Sequence, residues 1–126
     1  MKSAPLFQTV TPPVLFQDLN NPATLKEIAD TLDLSSSDLA TMIEVKVSSI
    51  RWDAQMPTKL KERLQEFGSL CDLVATQFNG DHTRTAMWFK IPNPLLGEIT
   101  PKDMIKMGRA NVLRDLILQQ INGEYA

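Results

Sequence analysis

The sequence predicts an all-α chain, and three observations carry that prediction. Leu60, Leu64, Phe67, Cys71, Val74 and Phe78 recur at spacings of three and four, one apolar stripe about five helical turns long. Helix-start and helix-stop residues recur along the whole chain after residue 20. No stretch alternates apolar and polar residues with a period of two, so no sheet is expected.

The elements follow in order. Residues 1–20 hold Pro5, Pro12 and Pro13, which oppose a long helix. Leu6, Phe7, Val14, Leu15 and Phe16 lie between and after them and oppose a freely solvated tail. Two readings stay open here: an arm docked on its own domain or on a second subunit, and a disordered terminus. Asn21-Pro22 can cap and open a first helix, with Thr24-x-x-Glu27 as an alternative box. Its apolar face is Leu25, Ile28, Ala29 and Leu32. Ser35-Ser36-Ser37-Asp38 opens a second helix with Leu39, Met42 and Ile43 inside. A short third helix is expected over about Val47–Ala54, closed by Met56-Pro57.

The long stripe comes next, interrupted only by Gly68. Gly80 is a natural stop and Asp81 a natural cap. The following helix carries Ala86, Met87 and Phe89 and ends before Pro92. Asn93, Pro94 and Gly97 make a loop. Thr100-Pro101-Lys102-Asp103 is a further capping box, and Gly108 closes its short helix. A last helix carries Val112, Leu113, Leu116, Ile117 and Ile121 and ends at Gly123. The expected organisation is an arm over 1–20, a helical unit over 21–80 and a second unit over 81–126.

Bulk composition narrows the function classes. The 126 residues suit one domain or two small helical subdomains sharing a core. With 43% apolar and 22% charged residues, the chain can bury a core. A formal charge of -2 marks no global nucleic-acid binder, so DNA contact requires a local patch. The lone Cys71 excludes an intramolecular disulfide and fits a reducing, cytoplasmic setting. No apolar run reaches the roughly 18 residues of a membrane span. Met1–Val10 carries no signal-peptide pattern.

Catalytic groups are few. His82 has no Cys or Ser partner at a known local spacing and reads as a surface residue beside a helix start. Asp30 and Asp33 read as solvated carboxylates. There is no phosphate-cradling Gly-rich loop, no His-Glu-x-x-His and no Gly-x-Ser-x-Gly. The expectation is a binding protein, not an enzyme, with no cofactor and no metal.

Residues 36–52 meet the demands of a helix-turn-helix in order. Ala40 is small enough for a close crossing, and Val45 and Ile50 fill the angle between the helices. Ser36, Lys46, Ser48, Ser49 and Arg51 are the candidate DNA contacts. The pattern resembles the Xre/Cro type, with Glu44 where the turn usually has glycine. A competing register over Thr24–Leu39 uses Ala29 as the small residue. Charge favours the first. Residues 21–34 set Lys26 against Glu27, Asp30 and Asp33, a net of -2. Residues 46–63 set Lys46, Arg51, Lys59, Lys61 and Arg63 against Asp53 and Glu62, a net of +3. Three packed helices without any nucleic acid remain the plainer alternative.

Downstream stand Trp88, the Pro92-Asn93-Pro94 loop, Leu96-Gly97, the Thr100-Pro101 cap and a final helix ending at Gly123. This stretch is similar to the toxin-binding domain of Xre/MbcA/ParS-type antitoxins. With the upstream helix-turn-helix, the resemblance spans about residues 22–126. Glu98 stands where the family often has a second glycine, and Gly108 matches the entry to the last helix only loosely.

The resemblance implies an Xre/Cro-like bundle followed by a small toxin-binding module. It implies an antitoxin that covers the active site of a cognate, RES-type, NAD-consuming toxin. It further implies repression of its own operon and a homodimer. The implied toxin contacts are Pro92, Asn93, Leu95 and Leu96 in the loop and Asn122, Gly123, Glu124 and Tyr125 in the tail. Trp88 is assigned to the core. The rivals are a stand-alone transcriptional regulator and an interaction adaptor without DNA binding.

Overall fold

A computed structural model of the chain describes residues 14–123. Among them are six α-helices and no strand: α1 (Pro22–Thr31), α2 (Ser36–Ile43), α3 (Thr58–Ala75), α4 (His82–Lys90), α5 (Pro101–Lys106) and α6 (Ala110–Asn122). Single 3₁₀ turns stand at Val47–Ser49, Thr76–Phe78 and Pro94–Leu96. The all-α expectation holds.

Four of the six helices, α1, α2, α4 and α5, start where a side chain replaces a missing backbone partner. Asn21 accepts the Ala23 N–H at 2.9 Å, so the Thr24 box is not the start that is used. Ser35 and Asp38 form a reciprocal box at 3.0 Å each way. Asp81 accepts from Arg84 at 2.9 Å. Thr100 and Asp103 form the second reciprocal box.

α3 is the central post. It packs against α1, α2, α4 and α6. Leu60, Leu64, Phe67, Cys71 and Val74 of the stripe are all buried, and Leu70 joins them. Leu25, Ile28, Leu32 and Leu39 close the core on one side; Phe89, Ile105, Leu113 and Ile117 close it on the other. Residues from both sides of position 80 thus enter one apolar cluster. Ion pairs Lys102–Asp33 and Lys106–Asp38, at 3.4 and 3.3 Å, span the same division.

The third helix expected over Val47–Ala54 is not formed beyond one turn, Val47–Ser49. Val45 and Val47 are β-branched, and Ser48 and Ser49 favour caps and turns over helix interiors. Ile50 is extended (φ -79, ψ 106). Asp53 then accepts the Gln55 N–H at 2.8 Å and pairs with Arg51 at 2.8 Å. Such a carboxylate-to-backbone bond closes a turn in competition with helix propagation. The stripe also departs at its end: α3 stops at Ala75, and Phe78 sits half-buried in the 3₁₀ turn. Met87 and Val112 face solvent, not the core.

Of the two readings for the start of the chain, residues 14–20 follow the docked arm. Leu15 donates its N–H to Asp72 Oδ1 at 2.9 Å, and Gln65 Nε2 donates to the Leu19 carbonyl at 2.9 Å. Phe16 is 3% exposed and meets the His82 ring edge-on at 5.8 Å. Pro5, Leu6, Phe7, Pro12 and Pro13 lie outside the described residues.

Candidate partner-binding surface

The loop between α4 and α5 is stiff for reasons its residues supply. α4 ends because Ile91 precedes proline and is extended (φ -107, ψ 134). The Asn93 N–H donates to the Ile99 carbonyl at 3.1 Å and closes the base of the loop. Asn93 Oδ1 accepts the Leu95 N–H at 2.9 Å, which starts the Pro94–Leu96 turn. Gly97 leaves that turn at φ 71, a conformation glycine adopts without strain. Glu98 follows at φ 75. This places a non-glycine side chain in the left-handed region.

The loop's implied toxin contacts divide by burial. Pro92 and Leu95 are exposed; Asn93 and Leu96 are half-buried, with Leu96 packed against the core. Asn122 and Gly123 are exposed at the end of α6, where Gly123 takes φ 66. Glu124 and Tyr125 lie outside the described residues. Trp88 is half-buried and stands edge-on to Phe89 at 5.1 Å, on the rim of the core.

The candidate DNA contacts lie on α2 and just beyond it. Ser36, Lys46, Ser48 and Arg51 are exposed and Ser49 is half-buried. Two features reduce what they offer a phosphate. Arg51 already holds Asp53. Asp38 sits in the first turn of α2, and the Ser35 N–H it accepts, with Lys106 nearby, holds its carboxyl below the usual aspartate range. A fixed negative charge therefore occupies the helix end where an anion would approach.

Other chemistry is sparse. His82 Nε2 lies 3.3 Å from Thr31 Oγ1 and forms no ion pair among the described residues. Burial pushes the Cys71 thiol up to about 12. Among the described residues, no three His, Cys, Asp or Glu side chains are grouped to hold a metal ion. No described helix is long and apolar enough to cross a membrane. A cleft of about 490 Å³ opens between α2, α3 and the α5–α6 corner, floored by Met42, Phe67 and Ile105.

Sequence reasoning missed two exposed apolar side chains beside the loop, Met87 and Ile91. Helical phase sets Met87 opposite Phe89, but Ala86, Met87, Trp88 and Phe89 are all apolar, so phase alone does not say which of them faces inward.

No family model matches the chain, and no curated protein matches it. A solved structure does. One chain in the crystal structure of the M. tuberculosis MbcT-MbcA toxin-antitoxin complex superimposes with a TM-score of 0.54 at 22% identity. The match covers 83% of this chain and 96% of that one. The likeness is one of fold: this chain folds like a component of a toxin–antitoxin complex.

Proposed function

We propose that this chain is an antitoxin: a non-catalytic protein that binds a cognate toxin and neutralises it. The observation that carries the reading is the near-complete coverage of a chain from a toxin–antitoxin complex. The stiff Pro92–Gly97 loop agrees with it, because a pre-shaped loop loses little entropy on binding. The finer assignment, an intracellular RES-type toxin that consumes NAD and whose active site is covered by the tail, draws on the sequence resemblance. Co-expression with the protein encoded beside it tests the proposal. The expected result is rescue of growth and a co-purifying complex. Unrelieved toxicity with no complex sinks it.

Operator repression is a second reading, favoured by the exposure of Lys46, Ser48 and Arg51 beside the Val47–Ser49 turn and of Ser36 at the start of α2. The single 3₁₀ turn at Val47–Ser49 gives that reading no full recognition helix. A gel-shift titration with the upstream DNA at two salt concentrations decides it. Specific, salt-sensitive binding supports a repressor, and its absence leaves an interaction protein. Light scattering of the free chain tests the homodimer that the resemblance implies.

A further inference from the structure

The inward face of α4 is set by Thr85 and Phe89, both fully buried. Met87 stands on the opposite side, and Arg84 and Lys90 lie about 60° to either side of it on a helical wheel. Met87 is 53% exposed, and the next exposed large apolar residues along the chain, Ile91 and Leu95, are 50% and 53% exposed. Isolated exposed apolar side chains are ordinary on a protein surface; three within nine residues, on a helix and a stiff loop, form a set. On α4 the charges flanking Met87 are both positive, and Glu98, three residues beyond Leu95, is the acidic residue of the loop. Arg84 and Lys90, like Lys46, Lys59, Lys61, Arg109 and Arg114, make no ion pair among the described residues.

We propose that Met87, Ile91 and Leu95 anchor the docking of the toxin, and that the toxin presents an apolar face rimmed by carboxylates. This inference rests on the antitoxin reading and names its contact surface. The apolar residues supply affinity, since methionine adapts its shape to an irregular partner. Arg84 and Lys90 steer the encounter and set its register.

The test measures binding of the full chain to the purified toxin encoded beside it. Met87→Glu and Leu95→Glu each weaken binding by about a hundredfold. Lys90→Glu weakens it about tenfold and flattens its salt dependence. Met107→Glu, which alters an equally exposed methionine outside the stripe, leaves binding unchanged. Circular dichroism verifies that each variant is folded. Full binding by the Met87 and Leu95 variants overturns the stripe and leaves the antitoxin reading standing. Equal loss in the Met107 variant also overturns it. No binding by the unaltered chain overturns the antitoxin reading itself, and the stripe with it. A free chain that is dimeric, and becomes monomeric on Met87→Glu, assigns the stripe to self-association instead. A Lys90→Glu defect seen on DNA but not on the toxin assigns the cations to nucleic acid.

Discussion

Ile28 Cδ1 lies 2.8 Å from the point where a β-carbon on Gly68 would stand. Gly68 interrupts the stripe of α3, and its missing side chain lets α1 and the arm approach. Ile28 is fully buried, and Leu19 Cδ2 lies 3.6 Å from the same point. Alanine in a helix interior gains about 1 kcal/mol over glycine. Overpacking a closed site loses about 1–3 kcal/mol. We expect the clash to prevail: Gly68→Ala destabilises by about 1 kcal/mol in urea denaturation. Adding Ile28→Val removes the offending atom, so the double variant is more stable than the sum of the singles predicts. Strict additivity sinks this account.

Glu44 ends α2 in the left-handed conformation (φ 61, ψ 49), which a glycine adopts without strain. The turn therefore keeps the geometry that usually goes with glycine, although the residue differs. Glu44 is exposed, so little packing is lost on its removal. Glu44→Gly is expected to raise stability by about 1 kcal/mol, and Glu44→Val to lower it. Thermal melts of the two variants check the signs.

Asp72 accepts the arm's Leu15 N–H, while burial raises its carboxyl above the ordinary aspartate value of 3.8. The native state is thus penalised by the ionised form. That penalty is absent below 3.8 and complete above the raised value, so acidification through this window relieves it. Asp72→Asn keeps the acceptor and removes the charge. We expect it to be slightly more stable than the natural chain at pH 7, by less than about 1 kcal/mol because solvent still screens the group. The advantage should vanish near pH 4 in paired melts. Asp72→Ala leaves the Leu15 N–H without its partner and should destabilise at every pH.

Asp38 and Asp103 respond to acid in the opposite sense. Both are held below the usual range, first by the backbone N–H of Ser35 and of Thr100 respectively. Their stabilisation is present above 3.8 and is lost as pH falls through the lowered values. Thr100→Ala removes the cap of α5 and should cost about 1 kcal/mol at pH 7. An unchanged melting temperature would show the box to be dispensable.

Cys71 is fully buried, and its thiol titrates near 12. A neutral, enclosed thiol is a poor nucleophile. Labelling with a thiol reagent should therefore be slow in buffer and complete in denaturant. Rapid labelling of the native chain would place Cys71 outside the core.

Features under local chemical control were legible in the residues: the all-α class, the caps at Asn21, Ser35, Asp81 and Thr100, the stop at Gly123, and the buried stripe of α3. A cap needs only residues within one turn of each other, so its signature is contiguous and readable. Tertiary structure decided the rest. Val47–Ala54 satisfied a helix pattern, yet an Asp53 turn and the Arg51 pair drew the chain out of it. The docking of Phe16 depends on Asp72 and His82, far along the chain. The outward setting of Met87 followed from which side of α4 the core occupied. Burial belongs to the packed whole, because a helix face acquires an inside only when another element covers it.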